Sequence, residues 1–162
     1  MATEIMTSAE FNKTVKNAAR FAVGVDCGLN TGIAVYDCAA SILHSVHTTD
    51  FFGAEEFLSK FLKDELSIFV EIPPQFIYAR NAFQTGAVRD KHAISIGGNR
   101  REALLLAESL RRSGYHVREV PPIRAAKWTQ AEFERQLKTT MKTNQHVRDS
   151  ARLAYIYAGK VV

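Results

Sequence analysis

Phe21-Ala22-Val23-Gly24-Val25-Asp26-Cys27-Gly28-Leu29-Asn30-Thr31-Gly32-Ile33-Ala34-Val35-Tyr36 is the stretch from which the rest of the chain can be read. An apolar run ends in one aspartate, a glycine-bearing turn follows, and a second apolar run leads away. Val23 and Val25 are β-branched and turn residues bound the run, which predicts a buried strand over 21–26. Gly28 and Gly32 bracket Leu29, Asn30 and Thr31, and strand character resumes at Ile33, so the two runs form a hairpin. An ionisable Asp26 at the end of an apolar strand is costly to bury without a partner. Taken alone, it reads equally well as a turn residue accepting backbone hydrogen bonds.

Outward from the hairpin, the 162 residues suit one domain, and a hydrophobic fraction of 46% is ample for a single core. Residues 1–19 are polar and are expected to be an N-terminal extension, helical or disordered, before a domain over 20–162. A net charge of +4 and a pI near 9.2 permit a polyanionic partner without requiring one. No apolar run reaches the length of a membrane span, and the N-terminus has no apolar signal core. Cys27 and Cys38 make no disulfide framework and are expected to be free thiols. These features predict a soluble cytoplasmic protein with no membrane partner.

Strands are predicted over 21–26, 32–37 and 41–48. Phe57, Leu58, Phe61 and Leu62 then form one stripe of an amphipathic helix over 53–62. The run 67–71 is a strand that, like the first, ends in a carboxylate, Glu71; Pro73 and Pro74 stop it. Periodicity disappears over 75–98, which predicts a long loop. A helix is predicted over 99–112, with Asn99 and Glu102 as a capping pair. A strand over 115–120 follows, then a helix opened by a Thr129/Glu132 capping box and running to about Met141. A last helix begins near Asn144. Three meandering strands, then helices alternating with strands, predict an α/β mixed sheet with helices on both faces.

Asp26 and Glu71 end two strands, and adjacent parallel placement brings these carboxylates together. On the last helix His146 and Asp149 are three residues apart and share a face. Three carboxylates and an imidazole make a ligand set for oxygen-preferring divalent ions such as Mg²⁺ or Mn²⁺. A pair of such ions suits phosphodiester hydrolysis. Each residue also has a bland reading: Glu71 paired with an arginine, His146 as polar decoration, Asp149 as a favourable charge near a helix N-terminus. The bland readings lose ground jointly, since strand ends and helix face would have to coincide by chance.

The motif Val25-Asp26-Cys27-Gly28-Leu29-Asn30-Thr31-Gly32 resembles the first-strand signature of RuvC-type Holliday junction resolvases of the ribonuclease H-like superfamily. Val70-Glu71 resembles their second acidic position and His146-Val147-Arg148-Asp149 their terminal-helix pair, with Ser150-Ala151-Arg152-Leu153-Ala154 continuing similarly. The resemblance covers about 21–159 and implies a ribonuclease H-like mixed five-stranded sheet flanked by helices. It implies metal-dependent cleavage of Holliday junctions and related branched DNA by a homodimer. By position it makes Asp26, Glu71 and Asp149 ligands of Mg²⁺ (Mn²⁺ possible), with His146 a ligand or the group orienting the attacking water. A long stretch after Glu71 in a short chain implies a phage-type member, in a bacterial or phage-infected host cytosol, with a range reaching forks, flaps and bubbles. Gly28 and Gly32 are then expected to let DNA backbone or metal approach Asp26.

Around this centre, Phe76, Tyr78 or Phe83 suits stacking on an unpaired base, and Arg80, Arg89 and Lys91 suit phosphate contacts. Lys127 follows Pro121-Pro122 much as a family lysine follows its fifth strand, which implies a hold on the scissile phosphate; Arg124, Lys138 and Lys142 flank it. The helix over 99–112 carries Ala103, Leu104, Leu106, Ala107 and Leu110, a surplus that fits a core helix or a dimer face. Competing readings are an actin-like or sugar-kinase ATPase, a nuclease of this fold acting on structured RNA, and a nucleic-acid-binding module without catalysis. Two lobes closing over a nucleotide are more than 162 residues can supply.

Overall fold

The computed structural model describes residues 19–75 and 86–161. The expectation of an extension over 1–19 therefore lies outside the described residues except for Ala19, which is buried.

Five strands form one sheet: β1 (Phe21–Asp26), β2 (Thr31–Asp37), β3 (Ile42–Thr49), β4 (Leu66–Glu71) and β5 (His116–Val120). Their order is β3-β2-β1-β4-β5. The first three form an antiparallel meander, and β4 and β5 then add in parallel beside β1. Among the described residues four α-helices cover it: α1 (Phe51–Leu58), α2 (Gly86–Arg112), α3 (Gln130–Leu137) and α4 (Gln145–Tyr157). The predicted α/β mixed sheet is the observed one.

Period-2 alternation divides the core between the two faces. Phe21, Val23 and Val25 of β1, with Ile33, Val35, Ile68 and Val70, meet Ala54, Phe57 and Leu58 of α1 and Ala103, Leu106, Ala107 and Leu110 of α2. Ala22, Ala34, Tyr36 and Phe69 meet Phe133 and Leu137 of α3 and Ala151, Leu153 and Ala154 of α4. Asp26 has the parity of Ala22, and Glu71 that of Phe69. Both site carboxylates thus belong to the α3/α4 face.

Three predicted boundaries are corrected. The loop expected over 75–98 gives way at Gly86 to the start of α2, which runs unbroken through Asn99. Asn99 and Glu102 are therefore interior to a helix and form no cap. Among the positions of 86–98 whose burial is described, all but the half-buried Ile96 are exposed. A helix with no buried face shows no 3.6-residue period, which is why its sequence reads as loop. Second, α1 starts earlier than expected, at Phe51, because the Asp50 side chain caps it by accepting from the Gly53 N–H at 2.9 Å. Third, α3 has the predicted Thr129/Glu132 capping box but ends at Leu137, where Lys138 turns left-handed at φ 50°.

The apolar surplus on α2 is largely core. Ala103, Leu106, Ala107 and Leu110 are buried against the sheet and Leu104 is half-buried, whereas Leu105, Ile94 and Val88 face outward. The two cysteines are free, as expected, with Cys27 buried. Among the described residues no helix is long and apolar enough to cross a membrane.

Candidate active site

β1 and β4 run in parallel with Val25 opposite Val70, so Asp26 and Glu71 leave the same end of adjacent strands. The third carboxylate arrives on α4. Asn144 caps that helix by accepting from the Val147 N–H at 2.9 Å, and its amide also donates to Thr48 Oγ1 at 3.0 Å, tying the helix start to β3. His146 and Asp149, one turn apart on α4, then face the strand ends. Asp26, Glu71 and Asp149 line one cavity of about 80 Å³ together with Ile123, Lys127 and Arg152.

Each acidic group has a partner from this chain. His146 Nδ1 lies 3.0 Å from Asp26 Oδ2. Lys127 Nζ donates to Asp149 Oδ2 at 2.7 Å, and Gln145 Nε2 donates to Asp149 Oδ1 at 2.6 Å. Glu71 accepts from the Ile123 backbone N–H. Burial raises the proton affinity of Asp26, against the hydrogen bond from His146. Glu71 is pushed up to about 7, first by burial and then by the negative charges of Asp26 and Asp149. Lys127 is held more firmly protonated, chiefly by its hydrogen bond to Asp149.

Among the described residues no three His, Cys, Asp or Glu side chains stand together as a ready metal centre. With Asp149 drawn to Lys127 and Gln145, and Asp26 to His146, the acidic oxygens are turned to protein donors instead. The donor chemistry nonetheless suits a hard divalent cation. Three carboxylates share one cavity, and burial together with the charges of Asp26 and Asp149 raises the proton affinity of Glu71, an oxygen-rich setting that a hard cation would relieve.

No protein-family model matches the chain, and no curated protein does. Among solved structures it is similar to T. thermophilus RuvC in complex with Holliday junction substrate, with a TM-score of 0.55. The fold is RuvC-like. Identity is 17%, over 86% of this chain and 95% of that one, so the likeness is one of fold.

Within this RuvC-like fold the predicted site residues separate into groups. Asp26, Glu71, His146, Asp149 and Lys127 come together at one end of the sheet. Lys91 is exposed on the first half of α2. Phe76, Tyr78, Arg80 and Phe83 lie outside the described residues, as does the Arg89 side chain. The expected role of Gly32 is corrected: a Cβ there would stand 2.5 Å from the carbonyl carbon and oxygen of His146. Its bare face admits the backbone of α4 rather than DNA or metal. Gly28 has room, its nearest neighbours being 3.8 Å away on Asn99.

The sequence reading leaves Arg152, Gln145 and the Ile123 N–H outside the site. Gln145 sits four residues before Asp149, a spacing that would have signalled the contact. Nothing in the sequence marks Ile123.

The raised carboxylates set a pH dependence. Between about 4.5, its ordinary value, and about 7, Glu71 binds more proton folded than unfolded. Its contribution to stability is therefore fully present at lower pH and lost as pH rises through that window. Melting temperatures in EDTA, compared between the parent and Glu71→Gln, should show the parent losing ground as pH rises from about 4.5 to 7. A constant difference across that range would contradict a raised Glu71.

Proposed function

We propose that this chain is a metal-dependent endodeoxyribonuclease that hydrolyses phosphodiester bonds in Holliday junctions and related branched DNA. The observation that carries the reading is the convergence of Asp26, Glu71 and Asp149 on one cavity, with His146 and Lys127 beside them, in a RuvC-like fold. That the similar structure is a RuvC–Holliday junction complex supports branched DNA as the substrate class.

In this reading Asp26, Glu71 and Asp149 hold Mg²⁺ or Mn²⁺, with His146 at the edge of the set. Held there, such a cation would supply activation of a water and neutralisation of charge on the phosphate. The residues of the chain supply position and proton traffic. Asp26 holds the imidazole of the half-exposed His146 through Nδ1, so that its other nitrogen would serve either as a ligand or to orient the attacking water. Lys127, whose side chain is 71% exposed, is long enough to exchange Asp149 for a phosphate oxygen. Arg124, Lys138 and Lys142, all exposed, provide screened contacts to flanking phosphates.

The active form in this reading is a homodimer, one site for each cut strand, with Leu105, Ile94 and Val88 of α2 available to the partner. The direct test is a cleavage panel of four-way junction, fork, flap, bubble, duplex and RNA hybrid in Mg²⁺. Preferred nicking of the branched DNAs is the expected result. Preference for the RNA hybrid would move the substrate to structured RNA, and cleavage of none would leave a binding module.

His146→Asp offers a second test. It should keep activity and lower any preference for Mn²⁺ over Mg²⁺, since imidazole is the softer ligand. An unchanged ratio of rates in the two metals would remove His146 from direct contact with the cation.

A further inference from the structure

We propose that Arg152 is the positioning residue for Lys127, clamping the loop that carries it so that the ammonium stands at the carboxylate cavity. Among the lysines and arginines whose burial is described, Arg152 is the single buried one, at 8% exposure. It lines the cavity beside Asp26, Glu71 and Asp149. Its Nη1 nonetheless donates to the Ala126 carbonyl at 2.6 Å and, more weakly, to the Ala125 carbonyl at 3.4 Å. Those are the two residues immediately before Lys127. The same guanidinium lies over the ring of Trp128, the residue immediately after, at 5.6 Å. One turn earlier on α4, Arg148 Nε donates to the Trp128 carbonyl at 3.2 Å.

Lys127 is thus bracketed on both sides by arginines of the helix that carries Asp149. The segment from Pro121 to Trp128 has neither helix nor strand of its own, so its register against α4 rests on this bracket together with the Lys127–Asp149 pair and the packing of Ile123 and Trp128 on the α3/α4 core. A lysine on a four-carbon stem samples a wide volume unless its backbone is fixed. Burying a permanent charge is costly unless it is well paired, so a guanidinium is a poor choice where packing alone is needed. A guanidinium whose Nη1 reaches two successive carbonyls while the group lies over an indole is something no apolar side chain supplies. Displacement of a catalytic group by about 1 Å can cost roughly a hundredfold in rate, which gives loop registration a functional consequence.

The proposal rests on the nuclease reading for its catalytic consequence and is independent of it for its structural one. Arg152→Lys keeps the charge but loses the planar fork; Arg152→Gln loses both. Each should lower kcat for junction cleavage roughly 10- to 100-fold while leaving junction affinity within about twofold of the parent. In a Lys127→Met background neither should lower kcat further, since the residue being positioned is gone. The structural arm uses ¹⁵N-lysine NMR, with the Lys127 ammonium signal identified by its disappearance in Lys127→Met. Its shifts should report the pairing with Asp149 in the parent and move toward those of a solvated lysine in Arg152→Lys.

Full additivity of the Arg152 and Lys127 effects would overturn the proposal, as would an unchanged Lys127 signal in Arg152→Lys. Should Arg152→Gln fail to fold, Arg152→Lys decides. If the parent cuts no branched DNA the nuclease reading fails, and the NMR arm still judges the clamp.

Discussion

Asp26→Asn should nick four-way junction DNA at least about a hundredfold more slowly than the parent while binding it at least as tightly. The substitution keeps shape and hydrogen-bonding capacity and removes one negative charge. A hundredfold is the upper end of what losing a mere outer partner of a metal ligand costs, so loss of a ligand should meet or exceed it. Binding is spared for a separate reason: affinity for DNA is dominated by cationic contacts to phosphate, and deleting a carboxylate beside the phosphate path removes a repulsion. The effect reaches His146 as well, whose Nδ1 lies 3.0 Å from Asp26 Oδ2 and would face an amide in place of an anion. Cleavage of an end-labelled junction in Mg²⁺ measures the first quantity, and fluorescence anisotropy of the same junction in EDTA measures the second. Cutting at the parental rate would count against Asp26 as a metal ligand and with it against the main support for the proposed hydrolysis. Loss of binding alongside cleavage would assign Asp26 to DNA recognition instead.

The parts of this site that are legible in the sequence are those fixed by short-range rules. Asp26 and Glu71 each close an apolar strand, and period-2 alternation puts both on the face that receives α4. Asn144 announces the start of α4 by its capping chemistry, and the three-residue spacing of His146 and Asp149 follows from helical geometry. The RuvC-like likeness then bears out the sheet, through topology rather than identity, since 17% of residues are shared with the similar structure. Illegible parts depend on tertiary placement. Arg152 lies in a run of small residues where it reads as one more helix position, and only the fold shows that it is buried and aimed at the Ala126 carbonyl. The first half of α2 is a helix without a buried face, and so without the pattern by which helices are recognised. Gly32 invites a reading about ligands because it stands near Asp26 in the chain, whereas its missing side chain is filled by the backbone of a helix more than a hundred residues later.

That close approach leads to the largest expected effect on stability, at Gly24→Ala. A Cβ at Gly24 would stand 1.9 Å from the Ser150 carbonyl oxygen, 2.8 Å from the Ala154 nitrogen and 2.9 Å from Leu153 Cβ. Two of these are backbone atoms of α4, so no rotamer change can clear the space; strand and helix must separate. Overpacking of this kind costs about 3 kcal/mol or more, which for a chain of this size corresponds to a fall in Tm of roughly 6–12 °C. Gly32→Ala meets the His146 backbone at 2.5 Å and should displace the first turn of α4, lowering cleavage more than stability, because that turn carries His146. Gly28→Ala is the control: with nothing closer than 3.8 Å it should melt within about 2 °C of the parent. Thermal unfolding of the three variants in one buffer separates a steric seam from a general intolerance of side chains in the hairpin. A Gly24→Ala protein melting with the parent would mean that α4 does not lie against β1, and the convergence of His146 and Asp149 on Asp26 and Glu71 would lose its physical basis.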